Sequence, residues 1–148
     1  MLTAVRQNRS IPSATVIPAL IYPDVREAVA WLSAAFGFVE RLQIGESHRS
    51  QMSVGDGGAV IAADTRGERV PPRPGEATHS VLVRVEDANA HCARAREHGA
   101  QILDEPTDHV YGERQYSAAD PWGHQWTFSE TIDDVHPESW GGTLKLPE

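Results

Sequence analysis

The sequence predicts an α+β fold in which two tandem βαβββ modules form a curved mixed sheet around a cleft. Two observations carry this prediction. A strand, a helix and three short strands follow one another twice, and Asp24 and Asp87, which begin the two predicted helices, are 63 positions apart. Repetition at a fixed spacing indicates an internal duplication. The length of 148 residues fits one domain.

The first module is predicted to span residues 15–63. Its opening run of β-branched and apolar residues indicates a strand, after which Asp24 and Glu27 form a capping box that starts a helix. Gly37 supplies the left-handed position at which such a helix ends. Short apolar runs separated by polar or glycine-rich turns then predict three strands, at residues 38–44, 50–54 and 59–63.

The second module is predicted to span residues 77–130, after a linker at residues 64–76 that is rich in Pro, Gly and charge. Residues 78–85 indicate a strand, and Asp87 starts a helix that stops at Gly99. Three further strands are predicted at residues 101–103, 115–118 and 124–129. Residues 1–14 are predicted to be a loose leader, and residues 131–148 a tail that docks Trp140 onto the body or onto a neighbouring subunit.

Charge and cysteine content restrict the partners and the location. The net charge of −8 disfavours nucleic acid and anionic membranes, because an acidic surface repels phosphate. A single cysteine, Cys92, excludes an internal disulfide, and the chain shows no secretion signal and no apolar run long enough to cross a bilayer. These features predict a soluble, cytoplasmic protein.

Five segments resemble the vicinal oxygen chelate superfamily of glyoxalases, bleomycin resistance proteins and dioxygenases. They are IPALIYPD at residues 17–24, AWLSAAFGF at residues 30–38, VRVED at residues 83–87, AREHGA at residues 95–100, and YGERQYSAADPWGHQWTF at residues 111–128. The resemblance implies paired βαβββ modules, a U-shaped cleft and often a homodimer. It implies no single reaction, because superfamily members include isomerases, epimerases, ring-cleaving dioxygenases, thiol transferases and proteins that sequester antibiotics.

The metal ligands that the resemblance implies are missing. In metal-dependent members, a His or Gln near the start of each first strand and a Glu on each last strand bind one divalent cation. The matching positions here hold side chains that are poor cation ligands, namely Ile17, Ser80, Ile61 or Ala62, and Thr127. His79 lies one residue from a ligand position, where strand alternation turns it to the other face. No cofactor is predicted, and a divalent metal stays the alternative.

Strand alternation and aromatic content predict a ligand-binding cleft. Arg84 is a candidate for binding a carboxylate or phosphate, and pairing with an internal acid is the alternative. The aromatic candidates are also candidates for core packing. The predicted cleft residues are Ser80, Leu82, Arg84, Tyr111, Tyr116, Trp122, Gln125 and Thr127. His48, Arg49 and Gln51 are candidates for the cleft mouth, and an exposed loop explains them equally.

Three functional hypotheses follow. The first is a metal-independent, glyoxalase-like protein that binds a small molecule, for resistance or sequestration. The second is an enzyme of the same fold, a lyase, isomerase or dioxygenase, that uses His79 or His124 as an unconventional ligand or uses acid-base chemistry without metal. His124 is the one catalytic candidate, and a hydrogen bond that stabilises the turn is its alternative role. The third is a structural or regulatory homodimer. Whether the chain is an enzyme stays open.

Overall fold

A computed structural model describes residues 5–145 and shows an α+β architecture of two four-stranded sheets, each with one helix. The first four residues of the predicted leader and the last three of the predicted tail lie outside the described residues. The chain divides into two compact units between Arg73 and Pro74, which is inside the predicted linker. Neither helix of the described part is long and apolar enough to span a membrane.

Module one contains one helix and four strands. In chain order these are β1 (Ala19–Ile21), α1 (Val25–Phe36), β2 (Val39–Ile44), β3 (Arg49–Val54) and β4 (Gly58–Ala63). The sheet order is β1-β4-β3-β2, in which β1 and β4 are parallel and the other neighbours are antiparallel. The βαβββ prediction is confirmed, although β1 is shorter than the predicted strand.

Module two repeats this arrangement. Its elements are β5 (Val81–Arg84), α2 (Ala88–Glu97), β6 (Gln101–Asp108), β7 (Glu113–Ala119) and β8 (Gln125–Thr131), followed by a 3-10 turn at Pro137–Trp140. The sheet order is β5-β8-β7-β6, and the β5–β8 pair is parallel. Strand β6 is much longer than predicted because its second half pairs with β7 across two register shifts.

The predicted caps determine where the helices begin and end. Asp24 and Asp87 accept hydrogen bonds, each at 3.0 Å, from the backbone N–H groups of Glu27 and Ala90. These bonds satisfy donors that the first helical turn leaves free. Helix α1 ends at Gly37, whose φ of 78° is the left-handed conformation predicted for it.

Each helix covers one side of the sheet of its own module. Under α1 lie Leu20, Met52 and Ala62, and under α2 lie Trp126 and Phe128, all of them buried. The side of each sheet that faces away from its helix is called the open face below. Because side chains alternate along a strand, every second residue of each strand belongs to the open face.

Residues 9–12 of the predicted leader contact module one. The backbone carbonyls of Arg9 and Ser10 accept hydrogen bonds from side chains of β2 and β3, and Pro12 is buried. These residues form no helix or strand, and fixed side chains of the sheet hold them in place.

Candidate functional site

The open face of module two begins with two residues of β5. Leu82 lies beside Thr127 of β8, and Arg84 lies beside Ser129. The Leu82 side chain is 58% exposed, whereas Val83, which points toward α2, is 9% exposed. The predicted alternation of β5 is therefore confirmed, and an apolar and a cationic side chain both stand on the open face.

Two separate sets of hydrogen bonds cross this face between β7 and β8. Ser117 and Thr127 hydroxyls lie 2.9 Å apart, and the Gln115 amide donates to the Ser129 hydroxyl at 3.0 Å. Ser129 in turn donates to a Glu113 carboxylate oxygen at 2.7 Å. We call these five residues the polar ladder. Because neighbouring side chains fix their rotamers, the polar ladder is organised before any ligand arrives.

Arg84 and Glu113 place opposite charges at one end of the polar ladder. Arg84 Nη2 donates to the Thr131 hydroxyl at 3.0 Å. Burial raises the pKa of Glu113, but hydrogen bonds from Ser129 and Thr131 and the positive charge of Arg84 outweigh burial, so the pKa lies below its ordinary value. Within residues 5–145, the hydrogen-bond partner of the Arg84 side chain is the Thr131 hydroxyl and not the internal acid that was considered as the alternative. The guanidinium keeps donors for a further acceptor.

Tyr111 connects the polar ladder to an aromatic cluster at the β6–β7 turn. Its hydroxyl donates to Gln115 Oε1 at 3.0 Å. Its ring stacks on His109 with centroids 5.0 Å apart, and Trp140 contacts it at 5.5 Å. The tail therefore docks Trp140 onto module two, as predicted, and Trp140 remains 42% exposed.

Tyr116 was predicted to line the cleft, and this is wrong. It pairs with Phe128 on the helix side of the sheet and is fully buried. Its hydroxyl lies 2.5 Å from His91 Nδ1 of α2, and burial raises its pKa. Since Gln115 and Ser117 occupy the open face, alternation requires Tyr116 to point into the core.

The turn before β8 is organised by the buried carboxylate of Asp120. It accepts from the backbone N–H groups of Trp122 at 3.0 Å and His124 at 3.1 Å, and from the Trp126 indole at 3.2 Å. His124 is 8% exposed, which supports its role in the turn. Trp122 lies in this turn and is half-buried, so its role in a site stays a prediction.

Gln125 lies at the edge of a pocket of about 380 Å³ at the Asp120 end of the sheet. Gln101, Leu103 and Ala119 also line this pocket. The structure therefore brings Leu82, Arg84, Gln125 and Thr127 onto one sheet, with Tyr111 at its far end. Ser80 is exposed and lies just before β5.

The residues at the family's ligand positions do not fit a divalent cation. Ile61 pairs with Ala19 on the open face of module one, whereas Ala62 lies under α1. Of the two residues considered for the ligand position on the last strand of module one, Ile61 is therefore the one on the open face. Its counterpart in module two is Thr127. Across residues 5–145, no three His, Cys, Asp or Glu side chains come close enough to hold a metal ion. An aliphatic and a hydroxyl side chain are poor substitutes for carboxylates.

The open face of module one carries two residues whose role the sequence did not reveal. Gln51, a candidate for the cleft mouth with an exposed loop as the alternative, lies within β3 and is 4% exposed. Arg41 of β2 donates to Gln51 Oε1 through one guanidinium nitrogen and to the Arg9 carbonyl through another. No local sequence pattern marks such a contact, because the partners are 32 positions apart.

Comparison with known proteins identifies one matching family model and many solved structures with the same fold. The model of the Glyoxalase/Bleomycin resistance protein/Dioxygenase superfamily matches residues 14–128. The crystal structure of TioX from Micromonospora sp. ML1 is 32% identical with a TM-score of 0.65, over 78% of this chain and 97% of that chain. A comparison with curated protein sequences gives no match.

Two more distant structures share the fold. TnmS3, an antibiotic binding protein from Streptomyces sp. CB03234, is 23% identical with a TM-score of 0.63, over 78% of this chain and 93% of that chain. A glyoxalase/bleomycin resistance protein/dioxygenase from Nocardioides is 18% identical with a TM-score of 0.60, over 97% of this chain and 93% of that chain.

Proposed function

This chain belongs to the glyoxalase/bleomycin resistance protein/dioxygenase superfamily, and from that premise we propose that it binds a small molecule on the open face of module two, without a metal. The observation that carries the proposal is that exposed Leu82 and Arg84 stand next to each other on the same face of β5, beside the polar ladder. Ligand sites combine apolar surface with a few precisely held polar groups, which is the chemistry of this face.

Each part of the face has a distinct role in the proposed complex. Leu82 contributes apolar contact, and its burial by a ligand is favourable at about 25 cal/mol per Å² of apolar surface. Arg84 donates hydrogen bonds to an anionic or strongly polar acceptor of the ligand. The side chains of the polar ladder form hydrogen bonds with one another, so the polar ladder contributes a rigid surface. Little side-chain entropy is then lost when a ligand binds to it.

Sequestration of an antibiotic-like compound is the cellular role that we propose. TnmS3, which shares the fold, is an antibiotic binding protein. Binding without turnover suits a face whose acid, Glu113, has a lowered pKa, because a weakly basic carboxylate is a poor general base near neutral pH. A cytoplasmic location and a homodimer stay predictions, and so does the alternative of an enzyme that uses unconventional metal ligands or metal-free acid-base chemistry.

A binding screen with matched variants tests this proposal. The probes are a panel of flat aromatic antibiotics and simple aromatic carboxylates. Binding is detected by thermal shift, because a ligand of the folded state raises the Tm. A compound that stabilises the wild type is then titrated against Arg84→Gln, Leu82→Asp and the control Arg94→Gln on α2. We expect roughly ten-fold weaker binding for the first two variants and no change for the control. Equal affinity for all four proteins would reject the site.

A further inference from the structure

The N-terminal segment lies against the open face of module one. Residues 9–13 are called the strap. The Arg9 carbonyl accepts a hydrogen bond from Arg41 Nη2 at 2.9 Å, and the Ser10 carbonyl accepts one from Gln51 Nε2 at 2.9 Å. Two consecutive backbone carbonyls are therefore held by two side chains of the sheet.

The two donors also contact each other. Arg41 also donates to Gln51 Oε1, so each side chain orients the other. Gln51 pairs with Ile61 of β4, which places it on the side of the sheet away from α1. It is 4% exposed, and so the strap shields a polar group that an uncovered sheet face would leave in water.

The contact runs beyond the two carbonyls. Pro12 is buried, and it lines a small depression with Ser13 on the strap side and Ser53 and Ala59 on the sheet side. Both Ser53 and Ala59 alternate with residues under α1, so they too belong to the open face. The strap thus follows the surface of β3 and β4.

The chemistry of the contact defines what else fits there. Arg41 and Gln51 recognise the strap through main-chain oxygens, which every peptide-like or polycarbonyl compound carries. We propose that this face is a second binding face, for ligands that present two adjacent carbonyl acceptors, and that the strap is its built-in occupant. Such a ligand displaces the strap and takes over both hydrogen bonds.

Displacement of the strap leaves the sheet intact. The strap forms no helix or strand, and on its N-terminal side it begins at a turn in which Ile11 N–H donates to the Asn8 carbonyl at 3.3 Å. A groove of about 630 Å³ runs beside it, lined mainly by residues 5–15 and by Arg41. Because the strap is covalently attached, it competes at a high effective concentration, and it lowers the apparent affinity of any ligand for this face.

Proteolysis tests whether the strap is held. Trypsin cleaves after arginine, so Arg6 and Arg9 give two sites in one chain, only the second of which has its carbonyl bound to Arg41. We expect slower cleavage after Arg9 than after Arg6 in the wild type. Pro12→Asp, which puts a charge at a buried position, is expected to equalise the two rates, whereas Ser13→Asp at the exposed neighbour is not. Equal cleavage rates after Arg6 and Arg9 in the wild type would contradict the claim that the strap is held against the sheet.

A titration tests the ligand class on the same full-length proteins. The probe is the acetylated and amidated tetrapeptide of residues 9–12. The readout is the NMR signals of the backbone amides of β3, together with the Gln51 side-chain amide in the proteins that retain Gln51. We expect Pro12→Asp to bind the peptide at least ten-fold more tightly than the wild type and Ser13→Asp do, and Gln51→Met added to Pro12→Asp to abolish the gain.

Equal binding by the wild type and Pro12→Asp, or no response of the Gln51 amide in Pro12→Asp, would overturn the proposal. A thermal melt of each variant verifies that it is folded. Neither readout involves module two, so failure here is separate from failure of the site proposed on Leu82 and Arg84.

Discussion

Leu82 and Thr127 are register partners on the parallel strands β5 and β8, and both side chains stand on the face of the sheet that α2 does not cover. The resemblance to the superfamily assigns Thr127 to a position at which metal-dependent members hold a glutamate. An apolar neighbour and a neutral hydroxyl suit the organic ligand that we propose for this surface, and both are poor ligands for a divalent cation.

Metal removal is predicted to have no effect. Since Ile61 and Thr127 replace the carboxylates, we expect purified protein to contain far less than one metal ion per chain. Treatment with EDTA should leave the Tm and the affinity for a small-molecule hit unchanged. Elemental analysis and thermal shift with Mn²⁺, Ni²⁺ and Zn²⁺ check this. Near-stoichiometric metal, or an ion-specific rise in Tm, would show that other residues supply ligands.

Substitutions of Tyr116 and Tyr111 distinguish a core residue from a residue of the proposed site. Tyr116→Phe removes the hydroxyl that lies 2.5 Å from His91 and is expected to lower the free energy of unfolding by about 1 kcal/mol, with unchanged ligand affinity. Tyr111→Phe is the matched control, because its hydroxyl bonds Gln115 of the polar ladder. We expect it to change affinity more than stability. Urea unfolding and ligand titration measure both, and the reverse pattern would place Tyr116 in the site.

The Asp120 turn is predicted to be a stability element. Asp120→Ala leaves the backbone N–H groups of Trp122 and His124 and the Trp126 indole without their acceptor, and we expect a loss of about 2–4 kcal/mol. Asp120→Asn keeps one oxygen and should lose less. Denaturant midpoints measure the loss, with Asp56→Ala in an exposed turn as the control. A change as small as that of the control would refute this role.

Acid is predicted to weaken one contact under α1. The hydrogen bond from Arg26 lowers the pKa of Glu40, burial opposes it, and Ser50 adds a second bond at 2.5 Å. A carboxyl with a lowered folded pKa stabilises the fold above its unfolded pKa, and this stabilisation is lost as the pH falls through the folded pKa.

The variant Glu40→Gln measures that contribution. We expect it to be less stable than the wild type at pH 7 by under about 1 kcal/mol, because the ion pair is partly exposed. The gap should shrink below the ordinary glutamate value of 4.5. Unfolding curves from pH 7 to acid pH test this, and a gap that stays constant through acid pH contradicts it.

Local signals account for the parts of the fold that were predicted from sequence. Asp24, Asp87 and Gly37 mark helix ends through contacts within a few residues, so sequence patterns reveal them. Alternation in β5 likewise predicted the open positions of Leu82 and Arg84. Both kinds of signal depend on the residue types of a short window.

Contacts between distant residues account for what was missed. Tyr116 points into the core because β7 pairs with β8 in a register that fixes Phe128 as its partner. Arg41 and Gln51 bind carbonyls of the leader over 32 and 41 positions. Neither pairing leaves a local pattern, since any strand tolerates such polar residues. The polar ladder was likewise visible only once β7 and β8 were side by side.

The most direct test of the central claim is a map of amide chemical shifts in ¹⁵N-labelled protein, titrated with a compound from the binding screen in the presence of EDTA. We predict that the largest changes fall on Leu82, Arg84 and Thr127, and that α2 changes little. Changes confined to other parts of the chain, or binding that requires added metal, would contradict a metal-free ligand site on the open face of module two.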